Sequence, residues 1–212
     1  MENPVIIFGA NFLGRLAKEI FEKNNVVVYG FLDDDKKLHQ KELDDAVILG
    51  ATDDDGFLKL IGKKCEAFVA IDDNKLRKNL IKMLHEIRHV QPVNAVHPQS
   101  NVSPRAEIGH GNFIDYAAQL APGCKIKNHC IINSKVSIGA EVSVGDFAQI
   151  GIGSNINTGV TIEDEVFIGS GVTIVSGITI GKGARVGAGS VVVSSVKAGE
   201  TVFGNPAQPI KS

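Results

Sequence analysis

The chain has 212 residues, room for one large domain or for two of roughly 100 residues that each bury a core. Its 22 basic and 24 acidic residues nearly balance, which excludes the broad positive field that a phosphate backbone requires, so no nucleic acid is expected as a partner. Cys65, Cys124 and Cys130 are odd in number, lie in apolar contexts and form no C-x-x-C pair, a pattern of buried reduced thiols rather than of a disulfide framework or a zinc ribbon.

The amino terminus carries no positive flank and only a four-residue apolar run, Val5 to Phe8, unlike a signal peptide. No stretch approaches the roughly 18 apolar residues of a membrane span, so a cytoplasmic protein without membrane insertion is expected. Val5-Ile6-Ile7-Phe8 reads as a strand ending in Gly9, and Phe12, Leu13, Leu16, Ile20 and Phe21 then recur as on one face of a helix. Val26-Val27-Val28-Tyr29, Val47-Ile48-Leu49 and Ala67 to Ile71 read as further strands. Leu76, Leu80, Met83, Leu84 and Ile87 mark another amphipathic helix. Strands that are apolar throughout, alternating with helices, predict a parallel sheet covered on both faces over residues 1–96, a Rossmann-like domain.

From His97-Pro98 onward the period becomes six. Val102, Ile108, Ile114, Leu120, Ile126, Ile132, Ile138, Val144, Ile150, Ile156, Ile162, Ile168, Ile174, Ile180, Val186 and Val192 are aliphatic without a slip. Each hexad supplies one side of a triangular coil, three hexads make a turn, and the aliphatic residue points inward onto its equivalent 18 positions away. The position four residues after each aliphatic is small or β-branched, from Ala118 through Cys124, Cys130 and Val136 to Val172, to fill the corners of the interior. Gly109, Gly139, Gly145, Gly151, Gly169, Gly181 and Gly187 directly follow an aliphatic, where the expected reason is backbone angles that glycine tolerates. Residues 97–212 are therefore predicted to form a left-handed parallel β-helix of about five coils with a terminating tail.

This hexad, aliphatic and then commonly Gly, Ala or an acid, with a small or β-branched residue four places on, resembles the hexapeptide-repeat acyltransferases over nearly half the chain. γ-Class carbonic anhydrases and sugar nucleotidyltransferase tails share the coil. The former require three zinc-binding histidines, yet no histidine follows His129, and the latter require a much larger catalytic domain in front. A short Rossmann-like domain, a Val96-His97-Pro98 hinge and then coils resemble the sialic acid O-acetyltransferase and nucleotide-amino-sugar N-acetyltransferase family, of the bacillosamine and perosamine type. Phe8-Gly9-Ala10, Phe31-Leu32-Asp33-Asp34, Val69-Ala70-Ile71 and Gly204-Asn205-Pro206-Ala207 carry that resemblance. It implies an acetyl-CoA-dependent acetyltransferase for bacterial surface glycans, acting on a nucleotide-linked sugar as a homotrimer, with acetyl-CoA as acyl donor and no metal.

Gly9-Ala10-Asn11-Phe12-Leu13-Gly14 is a strand-to-helix turn whose N–H groups and positive helix end suit a phosphate, or else a turn that needs glycine for its dihedrals. Asp33 and Asp34, past the second strand, are placed to accept hydrogen bonds from a ribose or base. The resemblance makes this a site for a UDP-, GDP- or dTDP-sugar and not for NAD, with Gly9, Ala10, Asn11, Asp33 and Asp34 as the substrate-binding candidates.

At the acetyl-transfer end the family's histidine base falls on Ala140 and its acidic neighbour on Glu141, while a second family histidine falls on Gln149. Several explanations compete. Positioning alone drives the transfer, a carboxylate at Glu141 or Asp146 assists, or His129 or His110 arrives from a neighbouring subunit. The alternative function is a catalytically silent sugar-nucleotide-binding or scaffold homologue. The resemblance further implies that coenzyme lies in the groove between two β-helices, against backbone around Gly153, Thr158, Ser170 and Ala188 and near the tail Asn205-Pro206-Ala207. There the family's following lysine is Gln208.

Overall fold

Four consecutive apolar residues with no alternation can be buried only in the middle of a sheet covered on both faces, and Val5–Phe8 (β1) is buried at every position. The computed structural model describes residues 3–210. Its contacts divide the chain after Pro98 into two compact units.

In the first unit, β1 is an interior strand, pairing in parallel with Val28–Leu32 (β2) on one side and Glu66–Val69 (β5) on the other. The helix Phe12–Lys23 (α1) follows β1. The short hairpin Glu42–Leu43 (β3) and Ala46–Gly50 (β4) adds an outer edge, with β4 parallel to β2 and β3 antiparallel to β4. The strand order is thus β3-β4-β2-β1-β5, parallel except at the edge strand. Asp55–Leu58 (α2) and Asn74–Met83 (α3) complete the covering, α3 running into a π-helical turn at Leu84–Arg88.

Residues Ala17, Ile20 and Phe21 of α1 face the sheet, where Phe21 meets Phe68 edge to face at 5.6 Å. The second strand begins two residues later than the Val26-Tyr29 run foretells. Val5 pairs with Val28, Phe8 pairs with Leu32, and Val27 is left exposed. Gly30 lies in the strand because a Cβ there would come within 2.8 Å of the Val47 carbonyl on β4.

In the second unit, two-residue strands stack at intervals of 18 residues into three flat faces of a left-handed parallel β-helix. The first face runs from Asn101–Val102 through Gln119–Leu120 and Ser137–Ile138 to Val191–Val192. The second runs from Glu107–Ile108 through Ser143–Val144 to Thr179–Ile180. The third runs from Phe113–Ile114 through Gln149–Ile150 to Arg185–Val186. The inward aliphatic column is buried from Ile114 to Val192; Val102 and Ile108, in the opening coil, are half-buried. The small residues from Ala118 to Val172 are buried at the inner corners as expected.

The reason for the glycines that follow the aliphatics differs from the expectation. Gly139, Gly145, Gly151, Gly169 and Gly181 do not have left-handed backbones; a Cβ at each would lie 2.4 to 2.8 Å from backbone of the next coil. They are demanded by the close stacking of coils, which leaves no room for a side chain. The left-handed positions come two residues later and accept other types: Gly123, Gly153, Gly159, Gly171 and Gly177, but also Ala117, His129, Lys135, Glu141, Phe147 and Glu165.

At the far end Thr201–Gly204 pairs with Arg185–Val186 and folds back antiparallel onto Ala207–Pro209, so the tail closes the third face. Three buried polar side chains replace backbone partners where the coil needs them. Asn112 accepts from the Cys130 N–H and donates to the Lys127 carbonyl, Ser154 bonds Gly169 and Val172, and Ser190 accepts from Gly204.

Candidate functional site

In a parallel sheet the loops after the strands gather at the carboxyl edge, and a ligand crevice opens where successive connections leave in opposite directions. Here that point lies between β1 and β5, beside Gly9–Asn11 and Ala70–Asp73. The residues singled out from sequence do converge there, held by one another. Asp33 accepts the Ala10 N–H through Oδ2 at 2.8 Å and the Asp35 N–H through Oδ1 at 2.9 Å. Gly9 donates to the Leu32 carbonyl. Asn11 caps α1 by accepting from Gly14 at 3.0 Å and donates to the Ala70 carbonyl at 2.9 Å. Gly9 has φ +108 and its missing Cβ would strike the Ala70 carbonyl at 2.6 Å, so glycine is required here by conformation and by space alike.

The two neighbouring aspartates do different work. Asp33 is half-buried at the turn and its carboxylate retains acceptor capacity beyond its two backbone donors. Asp34 spends Oδ1 on both the N–H and the hydroxyl of Thr52, at 2.9 and 2.8 Å, tying the end of β2 to the end of β4. Sequence reasoning passed over Thr52 and also Arg77, which is fully buried and turns back to the carbonyls of Ile71 and Asp72 and the side chain of Asn74. Arg77 thereby shapes the turn after β5; the signal for it in the sequence was its spacing of four residues from Ile81 and seven from Leu84, which puts it on the face of the helix that is buried.

In the coil, Glu141 and Asp146 stand at opposite ends of the strand Ser143–Val144, at two different corners. Asp146 belongs to a ladder. Its Oδ1 accepts the backbone N–H of Asn128 at 2.9 Å and the Asn128 side-chain amide at 3.0 Å, its own N–H donates to Asp164 Oδ1 at 2.9 Å, and Asn128 in turn accepts from the His110 N–H. Lys127 lies 3.7 Å from Asp164 beside it. Glu141 has a left-handed backbone, φ +56, and an exposed side chain whose carboxylate folds over Gly123 one coil earlier.

Ala140 is half-buried at the corner where the resemblance puts a histidine, and Thr158 lies in the same column one coil on, next to Gly159, whose N–H donates to the Ala140 carbonyl. His129 is no free base. It is buried and its ring lies on Phe147 at 5.1 Å, while His110 is exposed at the same corner as Asp146.

The residues assigned to coenzyme fall at two corners rather than one. Gly153, Ser170 and Ala188 share the corner between the third and first faces; Thr158 shares the Ala140 corner. The two are separated by the width of the first face, about 16 Å at ~3.3 Å per residue. At the first of these corners Gly153, Gly171 and Gly189 face open space, with nothing within 4 Å of an added Cβ. Among the described residues the backbone N–H groups of Thr158, Ser170 and Ala188 reach no protein acceptor. The tail joins this corner, since Gly204 donates to Ser190 and Phe203 fills the space over Gly187 ahead of Asn205-Pro206-Ala207. Arg185, stacked 4.5 Å above the Phe167 ring on the third face, is a cation that sequence reasoning passed over.

Burial pushes the Cys65 and Cys124 thiols above their usual pKa, and all three cysteines are free and buried. Among the described residues no helix is long and apolar enough to cross a membrane.

Comparison with known proteins gives a consistent picture. Residues 4–84 match the PglD N-terminal domain and residues 161–194 match the bacterial transferase hexapeptide. No curated protein matches the sequence. Among solved structures, the chain is 27% identical to PerB from Caulobacter crescentus in complex with CoA and GDP-perosamine, with a TM-score of 0.89 over 100% of this chain and 99% of that one. A histidine-to-alanine variant of that GDP-perosamine N-acetyltransferase, also in complex with CoA and GDP-perosamine, gives 26% identity and a TM-score of 0.91 over the same shares. WeeI from Acinetobacter baumannii is 26% identical with a TM-score of 0.79, over 98% of this chain and 99% of that one.

Proposed function

We propose, for a chain that belongs to the hexapeptide-repeat nucleotide-amino-sugar acetyltransferase family, that it transfers the acetyl group of acetyl-CoA to the amine of a nucleotide-linked sugar. The observation that carries this reading is the likeness to a GDP-perosamine acetyltransferase over 100% of this chain and 99% of that one, with both family matches in the same order. Use of a sugar for surface glycan synthesis, in the cytoplasm where acetyl-CoA is made, follows the same reading.

The first unit holds the nucleotide. Asp33, already fixed by two backbone donors, has lone pairs left for a ribose or base, and Gly9, Ala10 and Asn11 form the floor of the crevice. Asp34 ties the end of β2 to the end of β4 through Oδ1 and keeps Oδ2 open to the same ligand. In the second unit the open N–H groups of Ser170 and Ala188, the bare glycine corner and the tail Asn205-Pro206-Ala207 line the coenzyme. Exposed backbone donors of this kind suit the amide carbonyls of an extended thioester arm and the oxygen that gains charge when the thioester is attacked.

Because the Ala140 corner and the Ser170 corner sit on opposite edges of one face, a complete site takes one corner from each of two copies. We therefore read the working form as a homotrimer, with three such grooves. A solution mass of one chain at working concentration would contradict it.

The chemistry needs a base only for the proton released as the amine attacks. A sugar amine with a pKa of about 8 is roughly a tenth neutral at pH 7, and holding it against the thioester supplies most of the acceleration. A second reading, a sugar-nucleotide-binding homologue without turnover, is favoured by one observation, the methyl group of Ala140 where the family histidine falls. Purified protein with acetyl-CoA and a panel of GDP-, UDP- and dTDP-linked amino sugars decides between them. Thiol release with at least one acceptor is expected; none with any acceptor, together with activity appearing in Ala140→His, would establish the second reading.

A further inference from the structure

The corner that carries Ala140 and Glu141 contains a column of left-handed residues, Gly123, Glu141, Gly159 and Gly177, with φ of +75, +56, +70 and +74. Three are glycine, for which the conformation is free; Glu141 is the exception and holds it against its own Cβ. Its carboxylate lies where a side chain at 123 would begin, Oε1 being 2.0 Å from the position of an added Gly123 Cβ and Cδ 2.7 Å from it. Any residue but glycine at 123 would expel it.

The other carboxylates of the coil are already engaged. Asp146 and Asp164 accept backbone N–H groups, as do Asp115, Glu163 and Glu200, while Glu107 and Glu165 lie beside lysines. Among the described residues no donor hydrogen-bonds Glu141. Its carboxylate lies over Gly123, and the residue before it in the chain is Ala140, so its lone pairs are open to an incoming donor.

Resting on the acetyl-transfer reading above, we propose that Glu141 is the proton acceptor of the reaction and that Gly123 is its positioning residue. The amine nitrogen attacks the thioester carbonyl carbon, a C–N bond forms and the carbonyl electron pair moves to oxygen. The surplus N–H proton passes to Glu141. The oxygen pair then returns, the C–S bond breaks, and the departing thiolate takes the proton from Glu141, leaving the carboxylate as it began. Gly123 never meets the substrate; it acts by leaving room.

The test uses the full chain with acetyl-CoA and GDP-perosamine, or whichever UDP- or dTDP-linked 4-amino sugar turns over fastest, followed by thiol release. Glu141→Gln is expected to lower kcat about a hundredfold with the KM for both substrates unchanged. Gly123→Ala is expected to lower kcat roughly tenfold by displacing the carboxylate. Gly177→Ala imposes the same backbone strain in the same column, with nothing within 4 Å of the new Cβ, and is expected to keep the wild-type kcat. The double variant Gly123→Ala with Glu141→Gln is expected to be no slower than Glu141→Gln alone. Wild-type kcat in Glu141→Gln, equal losses in Gly123→Ala and Gly177→Ala, or additive losses in the double variant would each overturn the assignment while leaving acetyl transfer standing. No thiol release by the wild-type chain with any acceptor would remove both.

Discussion

Glu141 and Asp146 flank the same two-residue strand, are both acidic, and meet opposite fates. Asp146 stands in a column with Asn128 before it and Asp164 after it, so its oxygen is consumed in joining one coil to the next. Glu141 stands between Gly123 and Gly159, so no coil neighbour claims its carboxylate. In a stacked coil the role of a polar residue is set by what lies 18 positions away on either side, more than by its own neighbours in the chain.

That contrast can be broken or sharpened by four measurements. The largest effect is expected from Gly145→Ala, at the Asp146 corner, where the new Cβ would stand 2.5 Å from the Asp164 backbone nitrogen. Forcing the coils apart is expected to cost about 3 kcal/mol, read from chemical denaturation; an unchanged midpoint would show that the stacking tolerates a side chain after all. Next, Asp146→Ala strips an acceptor from the Asn128 N–H and is expected to cost about 2 kcal/mol, with Asp146→Asn recovering most of it because an amide oxygen also accepts. The folded fraction of Asp146→Ala is expected to keep its kcat; a loss matching that of Glu141→Gln would erase the distinction between the two corners.

A smaller change is expected on restoring an imidazole. The wild-type rate should climb with pH along the sugar amine and show no inflection near about 6.5, whereas Ala140→His should add one there and raise the rate at neutral pH by roughly tenfold. An inflection near that pH already present in the wild type would point to His110 or another imidazole.

The smallest effect concerns Cys124, whose pKa is raised mainly by burial and to a lesser degree by the nearby Glu141 charge. Because its folded-state pKa lies above the unfolded value, its contribution to stability is complete below the unfolded pKa of about 8.5 and is lost as pH rises through the folded one. Native thiols should therefore resist labelling at neutral pH, the denaturation midpoint should fall on going alkaline, and Glu141→Gln should ease the Cys124 shift slightly. Labelling of native protein as fast as of unfolded protein would contradict the burial.

The coil was legible because each residue index modulo six states a location, and the buried run from Ile114 to Val192 needed no tertiary knowledge. The glycines were recognised as corner residues but for the wrong reason: Gly139 and Gly145 are there because another coil passes close by, not for their backbone angles, and that contact between residues about 18 apart is not contained in a hexad taken alone. That Gly9, Asn11 and Asp33 gather at the sheet edge was legible in outline from the strand-to-helix pattern. The offset of β2 and the structural task of Asp34 were not, because pairing with β1 and the reach to Thr52 are choices made between segments far apart in the chain.

By itself the sequence determined the two architectures, the absence of an imidazole at residue 140, and the roster of acids from which a proton acceptor could be drawn, all of them matters of residue type and period. Only the tertiary structure decided which acid is spent and which is open, and that the coenzyme candidates divide between two edges of one face. Hydrogen-bond partners and steric room are properties of neighbours in space, and in a coil those neighbours arrive from the turns before and after.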